Sequence, residues 1–333
     1  MGTVLRVHAS PRSFNNELGV PITLANSPDG VDAVVIEMGA RGRGHIADLC
    51  AIARPTIGVV TTVALAHTEM FGTIEDVADA KGELIEALPS NGMAVLNGDN
   101  PLVAAMATRT YARALLFGRS GRSGTGLDVT AANVVLDDEL RPSFVLHSPW
   151  GDVDVQLQVR GEHQVMNALA AAATAMACGV LPEDIADGLA RATLSPWRMD
   201  LQRATSGALV LNDAYNANPT SMEAALHALA LLPARRRIAV VGVMAELGPS
   251  GPAEHRRIAE LARDLGIELI PVNAPEYGVA QAAEDIDAAD GADAADAFGG
   301  VEAVVGQLGD GDAVLVKGSR VAGLEALAER LLA

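Results

Sequence analysis

The stretch "TIGVVTTVALAHTEMFGTIEDVADAKGELIEALPSNGMAVLN" (residues 56–97) reads as strand, helix, strand. Its ends, TIGVVTTV and MAVLN, are short β-branched runs, and between them apolar residues recur at helical spacing. Such a unit predicts two parallel strands joined by a crossover helix. The alternation extends both ways. "DAVVIEMG" (32–39) and "GHIADLCAIA" (44–53) precede it, and "RALLFG" (113–118) follows. "DVTAANVVL", "SFVLHS" and "VDVQLQV" (within 128–159) come without intervening helices and predict an antiparallel appendage. Two helices follow, near 162–178 and 183–192. "LSPWRMD" (194–200) marks a hinge, with Pro196 ending the helical pattern. A second alternation then begins: "ALVLN" (208–212), a helix from Pro219, "RIAVVG" (237–242), a helix over 252–265, "IELIPV" (267–272), and "AVLVKG" (313–318) before a last helix. The reading is two α/β domains, 1–198 and 199–333.

Bulk properties narrow the function. Half of the 333 residues are apolar but only 3% aromatic, so the cores must be built from Ala, Val, Leu and Ile. A formal net charge of −18 argues against a nucleic-acid backbone or an anionic membrane as the main partner. Cys50 and Cys178 suit neither a disulfide framework nor a zinc knuckle, and a reducing cytoplasm fits them. No basic-then-apolar leader opens the sequence. "VMNALAAAATAMACGVL" (165–181) is short, alanine-rich and interrupted by Asn167, so it is read as a buried helix and no membrane insertion is expected. The acidic run 283–298 is read as a solvated helix or loop.

Of 24 basic side chains only Lys81 and Lys317 are lysine. Thr73 and Asp76 resemble a capping box. On the helix that follows, Lys81 falls on the apolar stripe of Val77, Leu84 and Leu88. A snorkelling side chain or a buried ion pair would fit that place, but arginine, preferred about tenfold here, would serve either role. A lysine is needed where burial must yield a neutral amine, able to attack a carbonyl or take up carbon dioxide as a carbamate. A carbamate binds a hard cation through oxygen. Glu37 closes one predicted strand and His67 follows the next, both at the carboxyl end of a parallel sheet, where such folds bind ligands. With Lys81 they suggest a metal site.

"SFNNELGVPITL" (13–24), "IEMGARGRGHI" (36–46), "AHTEMFGTIEDVADAKGEL" (66–84), "GEHQVMNALAAAA" (161–173), "RMD" (198–200), "NDAYNANPTSM" (212–222), "ELGPSG" (246–251) and "VLVKGSR" (314–320) resemble the Mur ligase family in order and spacing. The "YNANPTSM" and "VKGSR" stretches are similar to its branch that joins D-alanyl-D-alanine to UDP-N-acetylmuramoyl-tripeptide. The resemblance implies a P-loop-type central domain, a Rossmann-like C-terminal domain, and ATP with two Mg²⁺ ions in the complete family enzyme. It implies that Lys81 is carbamylated and that Glu37 and His67 bind Mg²⁺. It further implies that Asp213 contacts the ATP ribose, with Tyr215, Asn216 and Asn218 along the nucleotide cleft and Asn167 on the adenine side. Arg198 would neutralise the transferring phosphate. Lys317, beside Ser319 and Arg320, would meet an acceptor carboxylate, and Asn15 and Asn16 would lie near the nucleotide sugar. Asn218 and Pro219 also read as an ordinary helix cap and first turn.

The family's phosphate loop, Gly-x-x-Gly-Lys-Thr/Ser, is missing from this sequence, as is the domain that holds the UDP end. "GTVLRVHASPRSFNNELG" after Met1 reads as a chain entered midway, and an incomplete sheet predicts poor stability alone. Gln164, Thr68 and Val243 replace the Asn, Leu and acidic residue usual there. Two other classes remain: a non-catalytic nucleotide- or substrate-binding module, and a metal hydrolase with a carbamylated lysine. The hydrolase is disfavoured because no two of the seven histidines form a His-x-His pair.

Overall fold

The computed structural model describes residues 1–11, 13–64, 72–119, 126–279, 301, 306 and 308–333. The acidic run 283–298 lies outside them. The chain divides into two compact units: Met1–Val135, Pro142–Gln158 and His163–Ala192 form the first, and Leu136–Arg141, Val159–Glu162 and Thr193–Ala333 the second.

In the first unit the order is β1 (Val7–Ala9), α1 (Gly19–Ala25), β2 (Ala33–Val35), α2 (His45–Ala53), β3 (Ile57–Val60), α3 (Ile74–Glu86), β4 (Met93–Asn97), α4 (Pro101–Ala105), β5 (Arg113–Arg119), β6 (Val129–Leu136), β7 (Pro142–His147), β8 (Val153–Gln156), α5 (Gln164–Ala177) and α6 (Pro182–Leu189). The expected parallel strands are present, but in two sheets. Among the described residues β1 and β2 form a two-stranded sheet with each other, and a second sheet runs β3-β4-β5-β6-β7-β8.

Within the expected antiparallel appendage β7 and β8 pair antiparallel, and β6 joins the rest of the sheet by pairing parallel with β5, Phe117 opposite Val129. Just three residue pairs overlap between β5 and β6.

The helix ends follow from local chemistry. The Thr73 side chain accepts from Asp76 N to start α3, and the Asn100 side chain accepts from Val103 N ahead of Pro101 to start α4. Alanines 168, 170, 172, 173 and 175 on α5 are buried beside Val165, Leu169 and Met176, so small side chains make up much of the apolar face of that helix. α3 packs by Val77, Ala78 and Ile85 against Val60, Ala94 and Leu96. Its Leu84 also reaches a second apolar cluster, of Val20, Ile46, Leu49 and Cys50.

The second unit contains β9 (Asp200–Arg203), β10 (Leu209–Asn212), α7 (Pro219–Leu231), β11 (Arg236–Val241), α8 (Gly251–Asp264), β12 (Glu268–Pro271), β13 (Asp312–Lys317) and α9 (Glu325–Leu332). Strand order is β12-β11-β13-β10-β9, parallel except for β9. β10, β11 and β13 are apolar runs buried on both faces, the mark of a central parallel sheet. Helices cover both faces, Met222, Leu226 and Ile258 on one side and Leu324 and Leu327 on the other.

Candidate active site

At the carboxyl ends of β1, β2 and β3 the first unit carries two sets of polar side chains, one about Glu37 and one about Lys81. Glu37, just beyond β2, donates its backbone N–H to Ser10 Oγ at 3.1 Å, and its Oε1 accepts from Asn15 Nδ2 at 2.8 Å. The Asn15 carbonyl also accepts from Gly39 N at 2.8 Å. Asn15 thus orients the carboxylate. Asn16 does something else: its Oδ1 accepts from Leu18 N and Gly19 N at the start of α1.

Lys81 is half-buried on α3 and donates to the Thr62 carbonyl at 2.7 Å. Burial pushes its pKa below the ordinary lysine value, since desolvation disfavours the charged amine. Three successive carbonyls beyond β3 are held in turn: Thr61 O by Asn97 Nδ2 at 2.8 Å, Thr62 O by Lys81, and Val63 O by Asn100 Nδ2 at 2.9 Å. Asn97 and Asn100 were not anticipated as supports. Their signal was two asparagines flanking a strand end in "LNGDN". His67, expected beside Glu37 and Lys81, lies outside the described residues.

Among the described residues no three His, Cys, Asp or Glu side chains are grouped to hold a metal ion. Glu37 offers carboxylate oxygen, and a carbamate on Lys81 would add two more. Those are the donors a hard cation takes, so the residue types fit Mg²⁺. Asn167, in the first turn of α5, donates to Gln164 Oε1 at 2.9 Å, and Gln164 Nε2 lies 3.1 Å from His163 Nε2.

The second unit concentrates its polar chemistry where β10 and β13 end side by side. Lys317 is 2% exposed, and its ammonium lies 2.5 Å from Asp213 Oδ2, 2.8 Å from Asn216 O and 3.5 Å from Asp213 O. Burial lowers its pKa, against which Asp213 acts to raise it. The ammonium expected at an acceptor carboxylate therefore points inward, with its three donors engaged. Asp213 is equally committed, its Oδ1 accepting from Met199 N at 3.0 Å. Ser319 accepts from Ala245 N and donates to the Ala217 carbonyl. The Asn218 side chain caps α7 by accepting from Ser221 N, in a capping box completed by Ser221. Asn216 is exposed, its Oδ1 accepting from Ala217 N.

Arg198 presents an exposed guanidinium stacked 3.9 Å over the Tyr215 ring. Arg320 pairs with Glu325 and lies 4.5 Å over the Trp197 ring. Asp213, Tyr215, Arg198 and Arg320 thus form one connected patch.

Comparison with known proteins places both units. Residues 1–175 match the Mur ligase middle domain, and residues 197–320 match the family described as Mur ligase, glutamate ligase domain. A UDP-N-acetylmuramoyl-tripeptide–D-alanyl-D-alanine ligase of Mycobacterium tuberculosis is 43% identical over 350 residues, covering 98% of this chain and 68% of that protein. One of Escherichia coli is 37% identical over 272 residues, covering 81% and 59%. Among solved structures, MurF from Acinetobacter baumannii superposes with a TM-score of 0.84 at 28% identity, covering 99% of this chain and 71% of its own. MurF ligase from Thermotoga maritima in complex with ADP gives 0.82 at 27% identity, covering 99% and 74%. No helix among the described residues is long and apolar enough to cross a membrane.

Proposed function

The chain belongs to the Mur ligase family, and on that premise we propose that it acts in peptidoglycan precursor synthesis as an ATP-dependent amide ligase. It would join D-alanyl-D-alanine to UDP-N-acetylmuramoyl-tripeptide in the cytoplasm. One observation carries this reading: 43% identity, across 98% of the chain, with an enzyme named for that reaction.

In this reaction ATP phosphorylates the terminal carboxylate of the tripeptide, giving an acyl phosphate and ADP. The amine of D-alanyl-D-alanine attacks the acyl carbon; the C–N bond forms, the C–O bond breaks, phosphate leaves, and the nitrogen gives up a proton. Arg198 carries a permanent planar charge on an exposed, stacked side chain, suited to the transferring phosphate. Tyr215 and Asn216 would line the nucleotide cleft, and Asn167 its adenine side. The half-buried Lys81 amine, held by a neutral carbonyl, is a candidate to attack carbon dioxide, shedding a proton as the carbamate forms. Glu37, His67 and the carbamate would then hold one Mg²⁺. Bound magnesium supplies neutralisation of phosphate charge.

A second reading has its own observation. Neither lysine sits in a Gly-x-x-Gly-Lys-Thr/Ser stretch, so these residues include no phosphate loop. The alternative reading is a nucleotide- or substrate-binding module without turnover. Phosphate release by the purified chain, with ATP and both substrates supplied, separates the two. Release that requires both substrates supports the ligase; ADP binding without release supports the module.

A further inference from the structure

Arg198 sits in a segment whose backbone is unusual. Trp197 and Met199 on either side of it have φ of 61° and 50°, the left-handed region that side-chain-bearing residues seldom enter. Such a conformation persists only where its surroundings hold it. Three contacts do so. Met199 N donates to Asp213 Oδ1 at 3.0 Å, Tyr215 N donates to the Trp197 carbonyl at 3.1 Å, and Arg198 Nε donates to Ser195 Oγ at 3.0 Å. The first two come from the loop 213–216. That loop is itself held from below by Lys317, which donates to the Asp213 carboxylate and to the Asn216 carbonyl.

We propose that Lys317 is a positioning residue for the ligase reaction, which through Asp213 locks residues 197–199 in the conformation that stacks Arg198 on Tyr215. The role rests on the ligase reading for its catalytic meaning, though the lock itself does not. A compact ammonium suits the place. It meets three oxygens converging at the end of β13, in a space closed to solvent, where a planar guanidinium would need a wider cavity. That accounts for a lysine at position 317 in a chain whose basic side chains, Lys81 apart, are otherwise arginine.

The test uses the full chain carrying Trp150→Phe, which leaves Trp197 as its one tryptophan. Into this background go Lys317→Met and, because an unpaired Asp213 could unfold the protein, the double variant Lys317→Met/Asp213→Asn. The acrylamide quenching constant of Trp197 is measured on whichever variant keeps its circular dichroism. An increase of twofold or more is expected as residues 197–199 come loose; quenching unchanged in a folded variant overturns the lock. Kinetics then separate positioning from substrate contact. The phosphate-release kcat should fall tenfold or more, with the KM for D-alanyl-D-alanine held within twofold. A tenfold rise in that KM at unchanged kcat would put Lys317 on the acceptor and overturn the proposal. If the parent chain releases no phosphate, the ligase reading falls while the quenching result still decides the lock.

Discussion

The guanidinium of Arg109 lies flat on α3, in the space that any side chain at Gly82 would occupy. It pairs with Asp79 and Glu86 and donates to the carbonyls of Ala78 and Asp79. Helix propensity alone would make Gly82→Ala stabilising by about 1 kcal/mol. The displaced Arg109 contacts reverse the sign, and a net loss of about 1 kcal/mol is expected. In an Arg109→Ala background the same substitution should stabilise. Urea midpoints of the four proteins in this cycle measure the coupling.

Lys81 should cost stability rather than add it. Its folded pKa is depressed by burial, so between that lowered value and the unfolded value near 10.5 the unfolded chain binds more protons. Stability therefore rises with pH across that window, and below it the folded state carries the full penalty of a desolvated charge. Lys81→Met, which leaves an exposed Thr62 able to be solvated, should hold or raise the melting temperature at pH 7. A gain of up to about 1 kcal/mol is expected, and a lower melting temperature would contradict it.

The same residue should matter to activity in the opposite direction. Lys81→Ala should abolish ATP-dependent phosphate release, and short carboxylic acids added at millimolar concentration should restore part of it by standing in for the carbamate. Full activity without them would remove the carbamate from the mechanism.

Glu83 accepts from Gly44 N at 2.6 Å and from Ala47 N at 3.0 Å, anchoring the first turn of α2. Its negative charge faces the positive end of that helix. Glu83→Gln keeps the shape but loses the charge, and a loss of about 1–2 kcal/mol is expected, read as an earlier denaturant midpoint with an unchanged slope.

Asn218 carries the cap of α7. Asn218→Ala should lower stability by about 1 kcal/mol, whereas Asn218→Asp should retain most of it. If Asn218→Asp is as damaging as Asn218→Ala, capping is not what this side chain contributes.

Much of the fold was legible in the sequence because period and punctuation are local. The β-branched runs at 56–63 and 93–97 mark β3 and β4, Thr73 and Asn218 mark helix starts, and Pro219 marks a first turn. β1 and β9 went unnoticed, being three and four residues long and mixed with polar side chains. The direction of β6 was not readable either. A strand's residues record which faces are buried, and the partner's direction depends on where the chain returns.

The site divides in the same way. By itself the sequence determined that Lys81 lies on the inward stripe of its helix, that Glu37 lies just past a strand, and that a crowded polar loop precedes α7, because these follow from spacing along one element. Only the tertiary structure decided that Asn15 holds Glu37, that Asn16 is spent on α1, that Asn97 and Asn100 secure the carbonyls beyond β3, and that Lys317 turns inward to Asp213 across 104 residues of chain. Each of these is a pairing between elements distant in sequence. Hydrogen-bond partners of that kind are chosen by which strand ends the sheet order brings together, and no local pattern encodes that choice.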